Sequence, residues 1–122
     1  MGHATADATP RTSVVVLADD LIWASRLRAA VEHAGGQPVA VKSADEISDA
    51  LVVIDLGGRA YDGIAAVRVA ASAGATVLAV AQHDDIEVRK AALAAGAKRV
   101  LSYNKMFSDG QAVMERLMAG TL

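Results

Sequence analysis

Five short apolar runs punctuate the chain, and a longer stretch with apolar residues at three- and four-residue spacing follows most of them. SVVVLA (13–18), QPVAVK (37–42), LVVID (51–55), ATVLAVA (75–81) and KRVLSY (98–103) have the length and β-branched content of buried strands. DDLIWASRLRAAVEHAGG predicts a helix with Trp23, Leu27, Ala30, Val31 and Ala34 on one face. Asp19 or Asp20 can cap its start, and Gly35–Gly36 can stop it. DGIAAVRVAASAG (62–74) predicts a second long helix that buries Ile64, Val67 and Ala71. DDIEVRKAALAAG (84–96) places acids in its first turn, bases later and a glycine at its end, as the helix dipole favours. SDGQAVMERLMAG (108–120) predicts the closing helix, whereas SADEISDA (43–50) has room for two turns at most.

Strands that are apolar throughout and alternate with amphipathic helices imply a parallel sheet covered on both faces. The expected fold is therefore α/β: a flavodoxin-like, doubly wound, five-stranded parallel sheet of order 2-1-3-4-5, with the second helix short. At 122 residues the chain is one domain, expected over residues 13–122 behind a disordered leader, 1–12. The leader has no apolar segment of the secretory type.

A net charge of −2 offers no electrostatic attraction for nucleic acid, and no apolar run is long enough for a membrane span. Without cysteine there is no disulfide, thiol nucleophile or thiolate metal site. The default expectation is a soluble cytoplasmic protein.

In a sheet of this order, ligands bind beyond the carboxyl ends of the strands, where the order reverses between strands one and three. Strand one ends in Asp19–Asp20 and strand three in Asp55. Three carboxylates at one edge repel each other, and a hard divalent cation such as Mg2+ would relieve that repulsion. The competing reading is that an aspartate at a strand end only caps the next helix.

The motifs VVVLADD and VVIDLGGRAYDG carry a family resemblance. Asp55 is followed seven residues later by Asp62–Gly63, and ATVLAVA leads into AALAAGAKRVL. From Ser13 to the last helix the sequence resembles the receiver domains of two-component response regulators, in an atypical or pseudo-receiver form. The resemblance implies that Asp55 is the phosphoacceptor served by a histidine kinase. It also implies that Asp19, Asp20, Asp55 and the Gly57 carbonyl hold a weakly bound Mg2+. The implied activity is signalling by protein–protein contact rather than independent enzyme catalysis. The family's usual contact face comprises the fourth helix, fifth strand and last helix, which could also serve a homodimer.

The sequence departs from the family at the groups that read a phosphoryl group. Ala81 stands where a Thr or Ser is usual at the end of strand four. Tyr103 falls near the place of the lysine that ends strand five, and Lys105 lies two residues late. Lys105 is kept as a candidate catalytic residue, on the condition that a bulge or an extended loop carries it inward. His83 is a candidate at the pocket rim, against the plainer reading of a solvated loop histidine. Arg59 and Tyr61 are candidates for partner contact in what reads as an ordinary solvated loop. Met106, Phe107, Met114 and Met118 should mostly be core, with any remainder forming an apolar patch.

Two other classes are weighed. The strand–loop–helix around Asp55 also looks like the anti-sigma-factor-antagonist (STAS) module. That family carries a phosphorylatable serine beside the aspartate, and this sequence has none there. A small-molecule-binding flavodoxin-like protein would need a recognisable cofactor motif, and neither G-x-G-x-x-G nor a Walker loop occurs.

Overall fold

The computed structural model describes residues 11–47 and 50–122. The expected leader lies outside the described residues as far as residue 10, and so do Ser48 and Asp49 of the short 43–50 segment. Five parallel strands form one sheet of order β2-β1-β3-β4-β5. They are β1 (Ser13–Leu17), β2 (Gln37–Val41), β3 (Leu51–Asp55), β4 (Thr76–Ala81) and β5 (Arg99–Ser102). The helices are α1 (Leu21–His33), α2 (Gly63–Ser72), α3 (Ile86–Ala95) and α4 (Tyr103–Ala119), with a 3-10 turn at Ala44–Glu46. The sheet order is the expected one, and β1 runs straight into a 13-residue helix, which gives the STAS alternative no support.

Alternation along the strands divides the core into two layers. Val15, Leu17, Val52, Ile54, Val77 and Ala79 face α2 and α3. Val14, Val16, Val53, Leu78 and Val80 face Leu27 and Val31 of α1 and Met114 and Leu117 of α4. β1, β3 and β4 are buried nearly end to end, as strands covered on both faces must be. β2 departs from the expectation of a buried strand. It lies at the sheet edge, is largely exposed, and carries Pro38, whose missing N–H costs least there.

Each long helix starts on a side-chain cap. Asp20 accepts from Trp23 N at 2.9 Å, Asp62 from Ala65 N at 3.1 Å, Asp85 from Val88 N at 3.1 Å, and Ser102 from Lys105 N at 3.0 Å. The Ser102 cap revises two expected boundaries. β5 stops at Ser102, and α4 begins at Tyr103 rather than near residue 108, with a kink at Asp109 where φ is −125°. The short segment also makes less helix than the two turns allowed for it, a single 3-10 turn capped by Ser43.

Gly96 ends α3 in the left-handed region at φ +119°, and an added Cβ would lie 2.5 Å from Ala71 Cβ on α2. Both the backbone and the space exclude a side chain there. Gly96→Ala is expected to lower stability by about 1–3 kcal/mol, measured as a shift of the urea unfolding midpoint at unchanged slope.

Candidate functional site

Asp55 closes β3 at the strand-order switch, with only 1% of its surface exposed. Burying an ionised carboxylate without partners costs several kcal/mol, so its contacts decide what the site can do. No cation supplies them: among the described residues the one ion pair within 4 Å is Lys105 with Asp109. Two neutral donors converge instead on a single oxygen, Asp55 Oδ1. One is the Gly57 N–H at 2.9 Å, and the other is the Tyr103 hydroxyl, in a short hydrogen bond. Asp55 Oδ2 receives no hydrogen bond from the described residues.

Tyr103 reaches Asp55 because β5 ends where it does. The Ser102 cap starts α4 at once, so the first helical residue projects over the end of β3. That position lies near the one where the resemblance to receiver domains implies a lysine. The expected rescue by Lys105 does not occur. Lys105 lies in the first turn of α4, and its Nζ pairs outward with Asp109 at 2.7 Å, both side chains about half exposed. The reason is local, since an i,i+4 carboxylate on the same helix face is nearer than the buried one.

The two carboxylates that follow β1 each have one oxygen engaged elsewhere. Asp20 is a helix cap, as the competing reading allowed. Asp19 Oδ2 accepts from Arg59 N at 2.9 Å and Ala60 N at 2.6 Å, which ties the loop after β3 to the end of β1. Asp19 and Asp20 line an open cleft of about 570 Å3 with Leu21, Ile22, Gly57 and Arg59. Among the described residues no three His, Cys, Asp or Glu side chains gather closely enough to hold a metal ion. The acids share an edge of the sheet but do not form the ligand set expected for Mg2+.

Tyr61 corrects the reading of a solvated loop. It is half-buried, and its hydroxyl lies 2.6 Å from the Asp55 carbonyl and 3.1 Å from the Leu17 carbonyl, bridging the ends of β3 and β1. Gly57 and Gly58 open this loop, and neither has positive φ. Their requirement is space: a Cβ on Gly58 would overlap the Tyr61 ring, and one on Gly57 would lie 2.5 Å from the Tyr103 hydroxyl.

Ala81 is buried in the α2–α3 layer and supplies no donor. His83 is exposed and borders a shallow recess of about 390 Å3 with Trp23, Arg26, Tyr103 and Phe107. Trp23 packs on Tyr103 with ring centroids 4.8 Å apart, and Arg26 lies over both Trp23 and Phe107. Met106 and Met114 are core as expected, while Phe107 is two-thirds exposed.

Burial raises the Tyr103 phenol above its ordinary value, and the hydrogen bond to Asp55 and that residue's charge act in the same direction. Tyr61 is raised by burial first, then by the charges of Asp55 and Asp19. Both phenols therefore stay protonated, as donors, well past neutral pH.

Two tests follow from this geometry. Tyr103→Phe removes one donor from a buried carboxylate and should cost about 1.5–3 kcal/mol, whereas Asp55→Asn keeps an acceptor oxygen and should fold normally. Equal unfolding midpoints for wild type and Tyr103→Phe would remove the hydrogen bond from the account. In the second test, folded and unfolded states hold the same phenolic protons up to about pH 10. Above that the unfolded chain releases protons that the folded protein retains, so stability should fall as pH rises towards the folded values. The protein has 2 tyrosines, so a spectrophotometric titration reads this site alone, and native phenols ionising at the ordinary value would contradict it.

No protein-family model matches the sequence, and no curated protein does. Solved structures share the architecture. The Francisella response regulator 1452 receiver domain superposes with TM-score 0.73 at 18% identity, covering 91% of this chain and 99% of that one. A response regulator receiver protein from Burkholderia phymatum gives TM-score 0.65 at 26% identity, covering 86% and 95%. The beryllofluoride-activated NtrC4 receiver domain, described as a dimer, gives 0.72 at 18%, covering 90% and 98%. With the strand order 2-1-3-4-5 and a buried aspartate at the end of β3, the chain has the fold of the response-regulator receiver domains.

Proposed function

We propose that the chain is a receiver-type signalling module that acts by protein–protein contact, with Asp55 in the phosphoacceptor position and phosphorylation-driven switching weakened. The observation that carries this reading is the state of Asp55. It sits at the switch-point end of β3, buried, with Oδ1 held by Gly57 and Tyr103 and no ion-pair partner within 4 Å among the described residues. Phosphoryl transfer to a carboxylate depends on positive charge and oriented donors around the moving group. Ala81 contributes no hydroxyl here, and Lys105 is engaged with Asp109. Each missing charge-assisted contact is worth about 1.5–3 kcal/mol, or roughly tenfold to a hundredfold in affinity for the phosphoryl group or its mimic.

Mg2+ at Asp19, Asp20, Asp55 and the Gly57 carbonyl would have to draw together carboxylates that do not gather into a three-ligand group among the described residues, each with one oxygen already engaged. The residues as arranged do not fit a bound cation, and no step is assigned to one. What remains is the docking role. Its surface in this reading is the face of α3, β5 and α4, where Ile86 and Leu93 are exposed large apolar residues. The partner is a histidine kinase or another signalling protein, or a second copy of the chain.

Incubation with acetyl phosphate and magnesium, followed by intact-mass measurement, is expected to show little or no phosphoprotein. Asp55→Asn should change partner binding little. Stoichiometric phosphorylation of the wild type, lost in Asp55→Asn, would overturn the weakened-switch reading.

A further inference from the structure

We propose that Tyr103 is a lid over Asp55, that Gly57 is the residue that makes room for it, and that residue 103 decides whether an ion can reach the carboxylate. This rests on the reading of Asp55 as the phosphoacceptor position and adds the residue that controls access to it.

Four observations support the lid. The first is placement: Tyr103 is the leading residue of α4, directly after the Ser102 cap, so its direction is fixed by the helix start rather than by a loop. The second is contact, since its hydroxyl donates to the same Asp55 oxygen that accepts from Gly57 N.

The third is fit. Gly57 is exposed and not at positive φ, so neither burial nor backbone conformation requires a glycine there. A Cβ at residue 57 would lie 2.5 Å from the Tyr103 hydroxyl and 3.3 Å from Asp55 Oδ1. The missing side chain is therefore matched to the tyrosine. The fourth is bracing. The outer side of the Tyr103 ring packs on Trp23, which lies under Arg26, and Arg26 also covers Phe107. A lid held by a hydrogen bond on one side and an aromatic–cation stack on the other resists displacement by a weakly bound ion.

An exposed lysine two residues further on cannot substitute for this lid, because it points away from the site. Tyr103 also links the carboxylate to the Trp23–Arg26–Phe107 surface, so lifting it would leave Trp23 without its ring partner.

The test compares wild type with Tyr103→Ala and Tyr103→Lys, each mixed with magnesium and beryllofluoride. Fluorine NMR reads the bound anion, and amide shifts of Asp55 and Gly57 locate it. Tyr103→Ala or Tyr103→Lys should raise occupancy at Asp55 by about tenfold or more, the effect of exchanging one charge-assisted contact for open access. Equal occupancy in wild type and in both folded variants, at whatever level, sinks the lid. Substantial wild-type occupancy with a further rise in the variants keeps the lid and sinks the weakened-switch reading instead. A double-mutant cycle covers the case of poorly folded variants. Gly57→Ala should be clearly destabilising beside Tyr103 and close to neutral beside Tyr103→Ala; additive effects would refute the match between the two residues.

Discussion

A buried carboxylate with no ion-pair partner among the described residues is the constraint around which the carboxyl edge of this sheet is arranged. Asp55 follows four apolar residues of a strand covered on both faces, so its backbone cannot move it into solvent. Neutral donors must be brought to it, and each comes with conditions. The Gly57 N–H requires a tight turn after β3. The Tyr103 hydroxyl requires β5 to end at Ser102 and α4 to begin immediately. Tyr61 then joins the Asp55 and Leu17 carbonyls, so the ends of β3 and β1 are held by side chains where the sheet ladder stops.

The same economy governs how the three acids at this edge are partnered within the chain. Each has found a backbone amide: Asp20 in the cap of α1, Asp19 in the loop at residues 59 and 60, and Asp55 at Gly57. Amide donors offset carboxylate charge locally and without ligand exchange. The chain thus has the receiver fold with an aspartate closing β3, and amide and phenol donors surround that carboxylate.

The aromatic cluster joins this edge to the surface. Tyr103 touches Asp55 on one side and Trp23 on the other, and Arg26 and Phe107 extend the cluster outwards. Phe107, Leu21 and Ile22 are among the exposed large apolar side chains. A chain with few aromatics has placed Trp23, Tyr61, Tyr103 and Phe107 around or just outside one carboxyl edge of the sheet.

The alternation of apolar runs and amphipathic stretches was enough to show five strands of a doubly wound parallel sheet, in whose expected order Asp55 falls at the switch point, because burial on both faces marks β1, β3 and β4, though not the exposed edge strand β2. The start of α1 was legible as far as Asp19 or Asp20, since a cap acts within three residues. Tertiary structure alone decided which side chain covers Asp55. Tyr103 and Asp55 are separated by 48 positions, and the choice between Tyr103 and Lys105 turned on one cap at Ser102 that ended β5 a residue early. Gly57 shows the same limit. It leaves the space that the distant Tyr103 hydroxyl occupies, and no local pattern encodes a contact that exists only once the strands are side by side, whereas the space at Gly58 is taken by Tyr61, three residues along the same loop.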